Sequence, residues 1–217
     1  MTSIRVLLAE DHTIVRKGIR SLLDAEPDID VVGEAENGRE AVEKTAQVEP
    51  DIVVMDHSMP LLNGLEAMRQ IHHQQPDVKV LILTMHTNEE YVLQFLRAGA
   101  AGFLVKQSAP NELVAAIHAV AEGKSFLSPA ISKSVIDGYV RSSGATTLTD
   151  SYDALTARER EVFQLIAEGY TNREIGKQLH ISVKTVGVHR TNIMQKLDLT
   201  SMSELTRYAI RKGIISL

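Results

Sequence analysis

The stretch DIVVMDHSMP, residues 51–60, largely determines how the first part of this sequence folds. Its apolar run, residues 52–55, is typical of a β-strand that is buried on both faces in a parallel sheet. The run ends on Asp56, and an ionised carboxylate is unfavourable in a core unless it is paired or lies at the rim. We therefore expect Asp56 to lie where the strand leaves the core.

Strand-like runs of this kind alternate with amphipathic helical stretches over the first 123 residues. The runs are IRVLLAE (4–10), DIDVVGEA (28–35), DIVVMD (51–56), KVLILTM (79–85) and AGFLVK (101–106). An amphipathic stretch follows each run, and several of these stretches end at a Pro or a Gly. Five strands alternating with five helices predict an α/β domain with a doubly wound, five-stranded parallel sheet.

Polar residues stand at the ends of four of the predicted strands. Glu10 and Asp11 follow the first strand, Asp56 ends the third, Thr84 ends the fourth and Lys106 follows the fifth. We expect them at one rim, because ligands of open parallel sheets bind at the carboxyl ends of the strands. Three converging carboxylates repel one another, which predicts a hard divalent cation, Mg²⁺. The Lys and Thr side chains are suited to hold a phosphoryl group attached to the carboxylate.

Each of these residues taken alone has an ordinary structural explanation. An Asp at a strand end often caps a helix, a Glu-Asp pair at a helix start complements the helix dipole, and a single Thr or Lys carries no signal. Their occurrence after four separate strands is what indicates a phosphoryl-accepting site.

The segments AED (9–11), VVMDHSMP (53–60), LT (83–84) and FLVK (103–106) together resemble the receiver domain of bacterial response regulators. The resemblance covers residues 1 to about 123 and implies a flavodoxin-like fold. It also implies that Asp56 is the phosphoacceptor. Mg²⁺ would then be bound by Glu10, Asp11, Asp56 and the backbone carbonyl of Ser58.

The same resemblance implies a switch in the fourth and fifth strands. Thr84 would be the switch hydroxyl, Phe103 the switch aromatic residue and Lys106 the cation that pairs with the phosphate. Phosphorylation would draw Thr84 toward the new oxygens and let Phe103 turn inward, which shifts an equilibrium between two surface states.

A second, smaller domain is predicted after a polar connection. The segment RSSGATTLTDSYD (141–153) is poor in large apolar residues, as in a flexible linker. We predict a linker over residues 124–153, with a candidate short helix in PAISKSVIDGYV, and a C-terminal domain over residues 154–217. Residues 1–153 carry 13 basic and 22 acidic side chains, whereas residues 154–217 carry 10 basic and 6 acidic ones. The basic C-terminal part suggests a polyanionic partner such as nucleic acid.

The C-terminal part has the pattern of short, capped helices. Capping boxes are predicted at Thr156, Thr171 and Ser201, and a further helix start at Ser182. Residues 172–197 then form helix, turn, helix, and the second helix fits the DNA major groove. Its candidate contact residues are Lys184, Thr185, Val188, Arg190 and Thr191, while Val186, Ile193 and Leu197 face inward. The alternative is an ordinary helical bundle with a solvated basic face.

The segment LTAREREVFQLIAEGYTNREIGKQLHISVKTVGVHRTNIMQKLDL (155–199) closely resembles the LuxR-type helix-turn-helix. Joined to a receiver domain, it points to the NarL/FixJ family of two-component transcriptional regulators. This implies a cognate sensor histidine kinase and promoter DNA as partners, and a homodimer after phosphorylation. Gly187 stands where the family commonly has Lys, and Gly176 replaces a more usual Ala, which is expected to loosen its helix by about 1 kcal/mol.

Two other functions are consistent with parts of the pattern. An Asp nucleophile with Mg²⁺ also serves phosphatases and phosphotransferases, but the sequence has no inserted loop long enough to form a substrate pocket. A phosphorylation-independent DNA-binding regulator would have an incomplete acidic rim, whereas this rim is complete. We therefore predict a regulator rather than an enzyme. The chain has no cysteine and no N-terminal signal or membrane segment, so we predict a cytoplasmic protein.

Two expectations concern how the domains are used. Leu205, Tyr208, Ala209 and Ile214 form an apolar stripe, which serves either a dimer contact or the core of the C-terminal domain. In the resting protein, we expect the acidic first domain to lie near the basic recognition helix and to release it on phosphorylation.

Overall fold

The first domain is built on a parallel β-sheet with the strand order β2-β1-β3-β4-β5-β6. The computed structural model of the chain describes residues 3–85, 89–132 and 151–215. The strands are β1 (Ile4–Ala9), β2 (Ile29–Ala35), β3 (Ile52–Asp56), β4 (Lys79–Thr84), β5 (Gly102–Val105) and β6 (Phe126–Leu127). The order of the first five strands is that of flavodoxin-like folds, so the predicted fold class is confirmed.

The sheet contains one strand more than the five predicted. Phe126 and Leu127 form β6, which pairs in parallel with β5. Ile131, just beyond β6, is fully buried in the core of the first domain. The sequence could not reveal β6, because two residues are too few to show a periodic pattern. The predicted linker therefore begins with residues that pack on the first domain. Its middle part, residues 133–150 with most of the candidate helix, lies outside the described residues. Its last residues belong to the C-terminal domain, because Ser151–Ala154 form a short 3₁₀ helix and Tyr152 is buried in the core of that domain.

Helices cover both faces of this sheet. They are α1 (Thr13–Leu23), α2 (Gly38–Val48), α3 (Gly64–Gln74), α4 (Glu89–Arg97) and α5 (Ala109–Ala121). The core on one face contains side chains of α1 and α5, and the core on the other contains side chains of α2, α3 and α4. In the central strand β3, Ile52 and Val54 belong to one core and Val53 and Met55 to the other. The apolar run before Asp56 is thus buried on both faces, as predicted.

The C-terminal domain consists of four short helices around its own core. They are α6 (Ala157–Ala167), α7 (Asn172–Gln178), α8 (Val183–Lys196) and α9 (Met202–Arg211). The predicted capping boxes at Thr156 and Thr171 are both formed, and Ser182 caps α8 as predicted. At Ser201 only half of the predicted box is present, because the carboxylate of Glu204 bonds to Thr200 instead.

The apolar stripe near the C-terminus belongs to the core of this domain. Leu205 and Ala209 are fully buried, and Tyr208 and Ile214 are 6% exposed. Of the two predicted uses, the structure shows core packing, so these side chains are not available to a second copy of the chain.

Gly176 corrects the expectation that an Ala would be better at its position. A Cβ atom added to Gly176 would lie 2.8 Å from the carbonyl oxygen of Ile181, in the turn between α7 and α8. The glycine therefore permits a close approach of the turn to the helix. The helix propensity that Ala would add is opposed by this clash.

Within the described ranges, the chain has no helix with both the length and the apolar character needed to cross a membrane.

Candidate functional site

The predicted acidic residues meet at the carboxyl ends of β1 and β3. Glu10 is 1% exposed and Asp56 is 3% exposed, so both carboxylates are buried. Asp11 lies between the end of β1 and the start of α1 and is partly exposed. Gly64, the first residue of α3, packs so closely that a Cβ there would collide with the carbonyl oxygen of Asp56. The end of β3 is therefore held tightly against the next helix.

Lys106 joins the two buried carboxylates. Its Nζ atom lies 2.9 Å from Oδ2 of Asp56 and 2.7 Å from Oε2 of Glu10. Burial raises the pKa of Asp56 to about 6, although the nearby Lys106 opposes this shift. Burial lowers the pKa of Lys106, but Asp56 and Glu10 outweigh that effect and the pKa lies above its ordinary value. The site thus keeps a charged Lys beside a carboxylate that is costly to ionise.

His12 also belongs to this cluster, although the sequence analysis did not select it. Its Nδ1 atom lies 2.8 Å from Oδ1 of Asp11 and 3.0 Å from Oε1 of Glu10. The Asp11 carboxylate raises the pKa of His12 above its ordinary value. The sequence feature that could have indicated His12 is its position directly after Glu10 and Asp11.

The donors and charges of this acidic pocket fit a divalent cation. Glu10, Asp11, His12 and Asp56 each place one potential ligand atom within 4.8 Å of the others. Three carboxylates face the single ammonium group of Lys106, so an excess of negative charge remains. Carboxylate oxygens in such an arrangement suit Mg²⁺, which needs few protein ligands.

The predicted switch residues lie on the strands next to Asp56. Thr84 is the last residue of β4, 1% exposed, and its neighbour Leu83 pairs with Asp56. Phe103 is 1% exposed, and its ring packs edge to face on Phe95 of α4 at 5.6 Å. Phosphorylation is therefore not needed to turn Phe103 inward, because the ring is already inside the domain.

A buried aromatic contact links the acceptor strand to α4. His57, which directly follows Asp56, lies edge to face with Phe95 at 6.3 Å, and Phe95 in turn contacts Phe103. Phe95 was not predicted as a functional residue, because an apolar side chain at its position in a helix is typical of any core residue. The ring contacts join β3, α4 and β5 through one set of side chains.

Side chains of α6 bind the loop that follows Asp56. Gln164 is 1% exposed; its Nε2 donates to the carbonyl of Met59 at 3.0 Å. Its Oε1 accepts hydrogen bonds from the backbone N and from Nδ2 of Asn63, at 2.7 and 2.9 Å. Glu168 accepts from the backbone N of Leu61 at 3.1 Å. Among the described residues, the hydrogen bonds that dock the C-terminal domain on this loop come from α6. We expected the recognition helix α8 to lie next to the first domain instead.

Charged contacts extend this docked interface to α2 and α3. Nε of Arg160 lies 2.7 Å from Oε1 of Glu66 in α3. Glu161 accepts a hydrogen bond from Gln70 at 3.0 Å and pairs with Arg39 at 3.5 Å. These pairs join residues about a hundred positions apart, which no local sequence pattern reveals.

The docked domain also forms part of the wall of a cavity next to Asp11. An open cavity of about 160 Å³ lies there, lined by Asp11, Ser58, Met59, Pro60, Glu168, Ile214 and Ile215. The first four residues come from the first domain and the last three from the C-terminal domain. Asp11 and Ser58 therefore line the same cavity, and the C-terminal domain forms the opposite part of its wall.

The predicted contact face of α8 points away from the C-terminal core. Lys184 and Thr191 are exposed, Val188 is 53% exposed, and Thr185 and Arg190 are partly exposed. The residues predicted to face inward, Val186, Ile193 and Leu197, are all buried. Val183, 51% exposed at the start of α8, extends this face and was not predicted.

Known families match both domains. The response regulator receiver domain matches residues 6–118, and the luxR family of bacterial regulatory proteins matches residues 153–209. The oxygen regulatory protein NreC of Staphylococcus carnosus is 40% identical over 215 residues, which cover 98% of this chain and 99% of NreC.

Solved structures agree with this assignment. A LuxR-family two-component response regulator from an Aurantimonas species is 39% identical with a TM-score of 0.62, and covers 64% of this chain and 99% of its own. The RcsB response regulator of Salmonella typhimurium is 29% identical with a TM-score of 0.61, over 96% of this chain and 98% of its own. A structure of RcsB bound to DNA is 28% identical with a TM-score of 0.61, over 97% of this chain and 99% of its own. With both domains matched in this order, the chain belongs to the NarL/FixJ family, the two-component response regulators that control transcription through a LuxR-type DNA-binding domain.

Proposed function

We propose that Asp56 accepts a phosphoryl group from a sensor histidine kinase and that this modification controls DNA binding. The observation that carries the proposal is the buried Asp56 carboxylate, 2.9 Å from the Lys106 ammonium in a pocket with excess negative charge. A carboxylate oxygen of Asp56 would form the bond to phosphorus as the bond to the donor imidazole nitrogen breaks. Lys106, already in contact with that carboxylate, would then pair with the phosphoryl oxygens.

We propose that Glu10, Asp11, Asp56 and the backbone carbonyl of Ser58 hold Mg²⁺ during this reaction. Receiver domains generally use Mg²⁺ at their acidic pocket, and the carboxylates here lie close enough to share one ion. A bound Mg²⁺ neutralises the charge that develops on the phosphoryl oxygens. The hydroxyl of Thr84, buried at the end of the neighbouring strand, would donate a hydrogen bond to a phosphoryl oxygen. Phe103 and Phe95 would respond by repacking within the core.

Removal of Mg²⁺ tests this proposal. With excess chelator, we expect both the gain and the loss of the phosphoryl group to slow by at least about 100-fold, because the developing charge loses its counter-ion. Acetyl phosphate is a suitable donor, and intact-protein mass spectrometry measures the product. A regulator gives at most one phosphoryl group per chain with slow decay, whereas sustained turnover of the donor would identify a phosphatase or phosphotransferase. Equal rates with and without chelator would contradict the metal assignment.

Mg²⁺ binding should depend on pH. Because the pKa of Asp56 is about 6, a proton occupies this carboxylate below that pH and competes with the metal ion. The competition weakens the apparent affinity at pH 5 by about tenfold relative to pH 7. Calorimetric titrations with Mg²⁺ at pH 5, 6 and 7 measure this, and Asp56→Asn should remove the part of the dependence that Asp56 causes. An affinity that does not change over this range would contradict the assigned role of Asp56.

We propose that Lys184, Thr185, Val188, Arg190 and Thr191 contact promoter DNA from α8 in the major groove. Their support is their position on the outward face of the second helix of a helix-turn-helix. The exposed N-terminus of α8 and the two basic side chains are suited to DNA phosphates.

Gly187 offers a test of this face. Its position in α8 is open, since a Cβ there would have no neighbour within 4 Å. We expect Gly187→Lys to bind DNA more tightly and to steepen the salt dependence of log K by about 0.9, through one added phosphate contact. Gly187→Ala is the matched control, because both substitutions stabilise the helix by about 0.7 to 1 kcal/mol but only Lys adds charge. Electrophoretic mobility shifts at several salt concentrations measure the slopes, and equal slopes for the two variants would place position 187 outside the DNA interface.

We also propose that the docked arrangement is the unphosphorylated state and that phosphorylation releases it in favour of a homodimer. Gln164 and Glu168 bind the loop that carries Met59 and Leu61, so a change in that loop acts directly on the interface. One small helix-turn-helix buries too little surface for tight specific binding, and dimers solve this by binding two half-sites. RcsB has been seen as dimers bound to DNA. Because the stripe in α9 is occupied by the monomer core, the dimer contact must use another surface.

A further inference from the structure

The imidazole of His12 lies among the atoms that would bind the metal ion. His12 directly follows Asp11 and is the residue before α1. Its Nδ1 atom is 2.8 Å from Oδ1 of Asp11 and 3.0 Å from Oε1 of Glu10. With Asp56, these residues bring three carboxylates and one ring nitrogen within 4.8 Å. The cluster therefore offers a nitrogen donor as well as oxygen donors.

The distances around Nδ1 are those of neighbouring ligands on one ion. In an octahedral site with bonds of about 2.1 Å, adjacent ligand atoms are about 3 Å apart. Nδ1 already stands at that distance from both the Asp11 and the Glu10 oxygens. A cation bound to these oxygens repels the ring if the ring is protonated. If Nδ1 carries no proton, the cation binds the ring through the nitrogen lone pair. In this second case, Nδ1 has to give up its 3.0 Å hydrogen bond to Oε1 of Glu10, while its distances to the two carboxylates can stay as they are.

The type of ligand atom determines which metal ions the site binds most tightly. Oxygen-only sites suit Mg²⁺, whereas imidazole favours first-row transition metal ions such as Co²⁺, Ni²⁺ and Zn²⁺. We propose that His12 is a protein ligand of the metal site and that the site therefore takes such transition metal ions in preference to Mg²⁺. The inference rests on the proposed metal site formed by Glu10, Asp11 and Asp56, and adds the residue that sets its selectivity.

The test compares Co²⁺ and Mg²⁺ binding to the full-length protein. In His12→Asn we expect the affinity for Co²⁺ to fall by about tenfold or more, as on loss of a ligand, while the affinity for Mg²⁺ changes by less than about threefold. Asn is among the best residues before a helix, so this substitution should not disturb α1. His73→Asn, on the exposed surface of α3, is the matched control. Calorimetry gives both affinities, and proton NMR of the Co²⁺-loaded protein should show paramagnetically shifted imidazole signals that disappear only in His12→Asn.

The outcomes separate this inference from the proposed function. If Mg²⁺ and Co²⁺ bind but neither the affinity ratio nor the shifted signals depend on His12, the ring leaves the site and the inference is wrong, while the Mg²⁺ site stands. If neither ion binds the wild-type protein, or if Asp11→Asn binds both ions as tightly as the wild type does, the metal site itself is wrongly assigned. Loss of the shifted signals together with a selective loss of Co²⁺ affinity supports His12 as a ligand.

Discussion

We expect the Asp56→Asn variant to incorporate no phosphoryl group from a small phosphodonor or from a kinase. An amide cannot form an acyl phosphate, and it also removes one of the three carboxylates that would bind Mg²⁺. The variant should fold, because Asn has nearly the same shape and Lys106 keeps its 2.7 Å contact with Glu10. Removing a carboxylate that is unfavourable to ionise in a buried position does not threaten the core.

Intact-protein mass spectrometry after incubation with acetyl phosphate measures this result. Asp30→Asn is the matched control, because Asp30 is an exposed aspartate on β2, away from the acidic pocket. The control should gain one phosphoryl group at the wild-type rate. Normal incorporation in Asp56→Asn would reassign the acceptor, and loss in both variants would point to a general defect of the protein.

The acceptor site could be predicted from sequence because it depends on a short, regular pattern. A run of apolar residues forms a strand buried on both faces, and the residue that ends it must lie at the rim. Parallel strands bring their carboxyl ends together, so Glu10, Asp56, Thr84 and Lys106 were predicted to lie together at one rim. The structure has the Lys106 ammonium in contact with both buried carboxylates, as this reasoning requires.

Other features depend on contacts that no local pattern encodes. Strand β6 has only two residues, and the burial of Ile131 depends on the pairing of β6 with the edge of the sheet. Gly176 is needed because a larger residue would clash with the carbonyl oxygen of Ile181, and helix propensity does not account for that contact. The pairing of Gln164 with Asn63 joins positions 101 residues apart on two domains. Burial and long-range contact, rather than residue type, determine these features.

The docked interface gives the second large expected effect. Gln164→Ala removes three hydrogen bonds to the acceptor loop, two with Asn63 and one with Met59. At about 1 kcal/mol for each bond, the docking equilibrium should shift by about 3 kcal/mol, or roughly 100-fold. Ala is a strong helix former, so α6 itself should be no less stable. Small-angle X-ray scattering should show a larger radius of gyration than for Gln47→Ala, a control at an exposed position of α2.

Undocking should change the phosphorylation of Asp56 more than it changes DNA binding by α8. The docked domain forms a wall of the cavity beside Asp11 and Ser58, while Lys184 and Thr191 of α8 are exposed even in the docked state. We therefore expect Gln164→Ala to raise the rate of phosphorylation by acetyl phosphate, by up to roughly 100-fold. DNA affinity of the unphosphorylated variant should rise much less, because the recognition face was already accessible and pairing of two domains still requires the phosphoryl group. If the phosphorylation rate stays at the value of the Gln47→Ala control although scattering shows that the domains have separated, the docked domain does not restrict access to Asp56, and the expected coupling between docking and phosphorylation would be wrong.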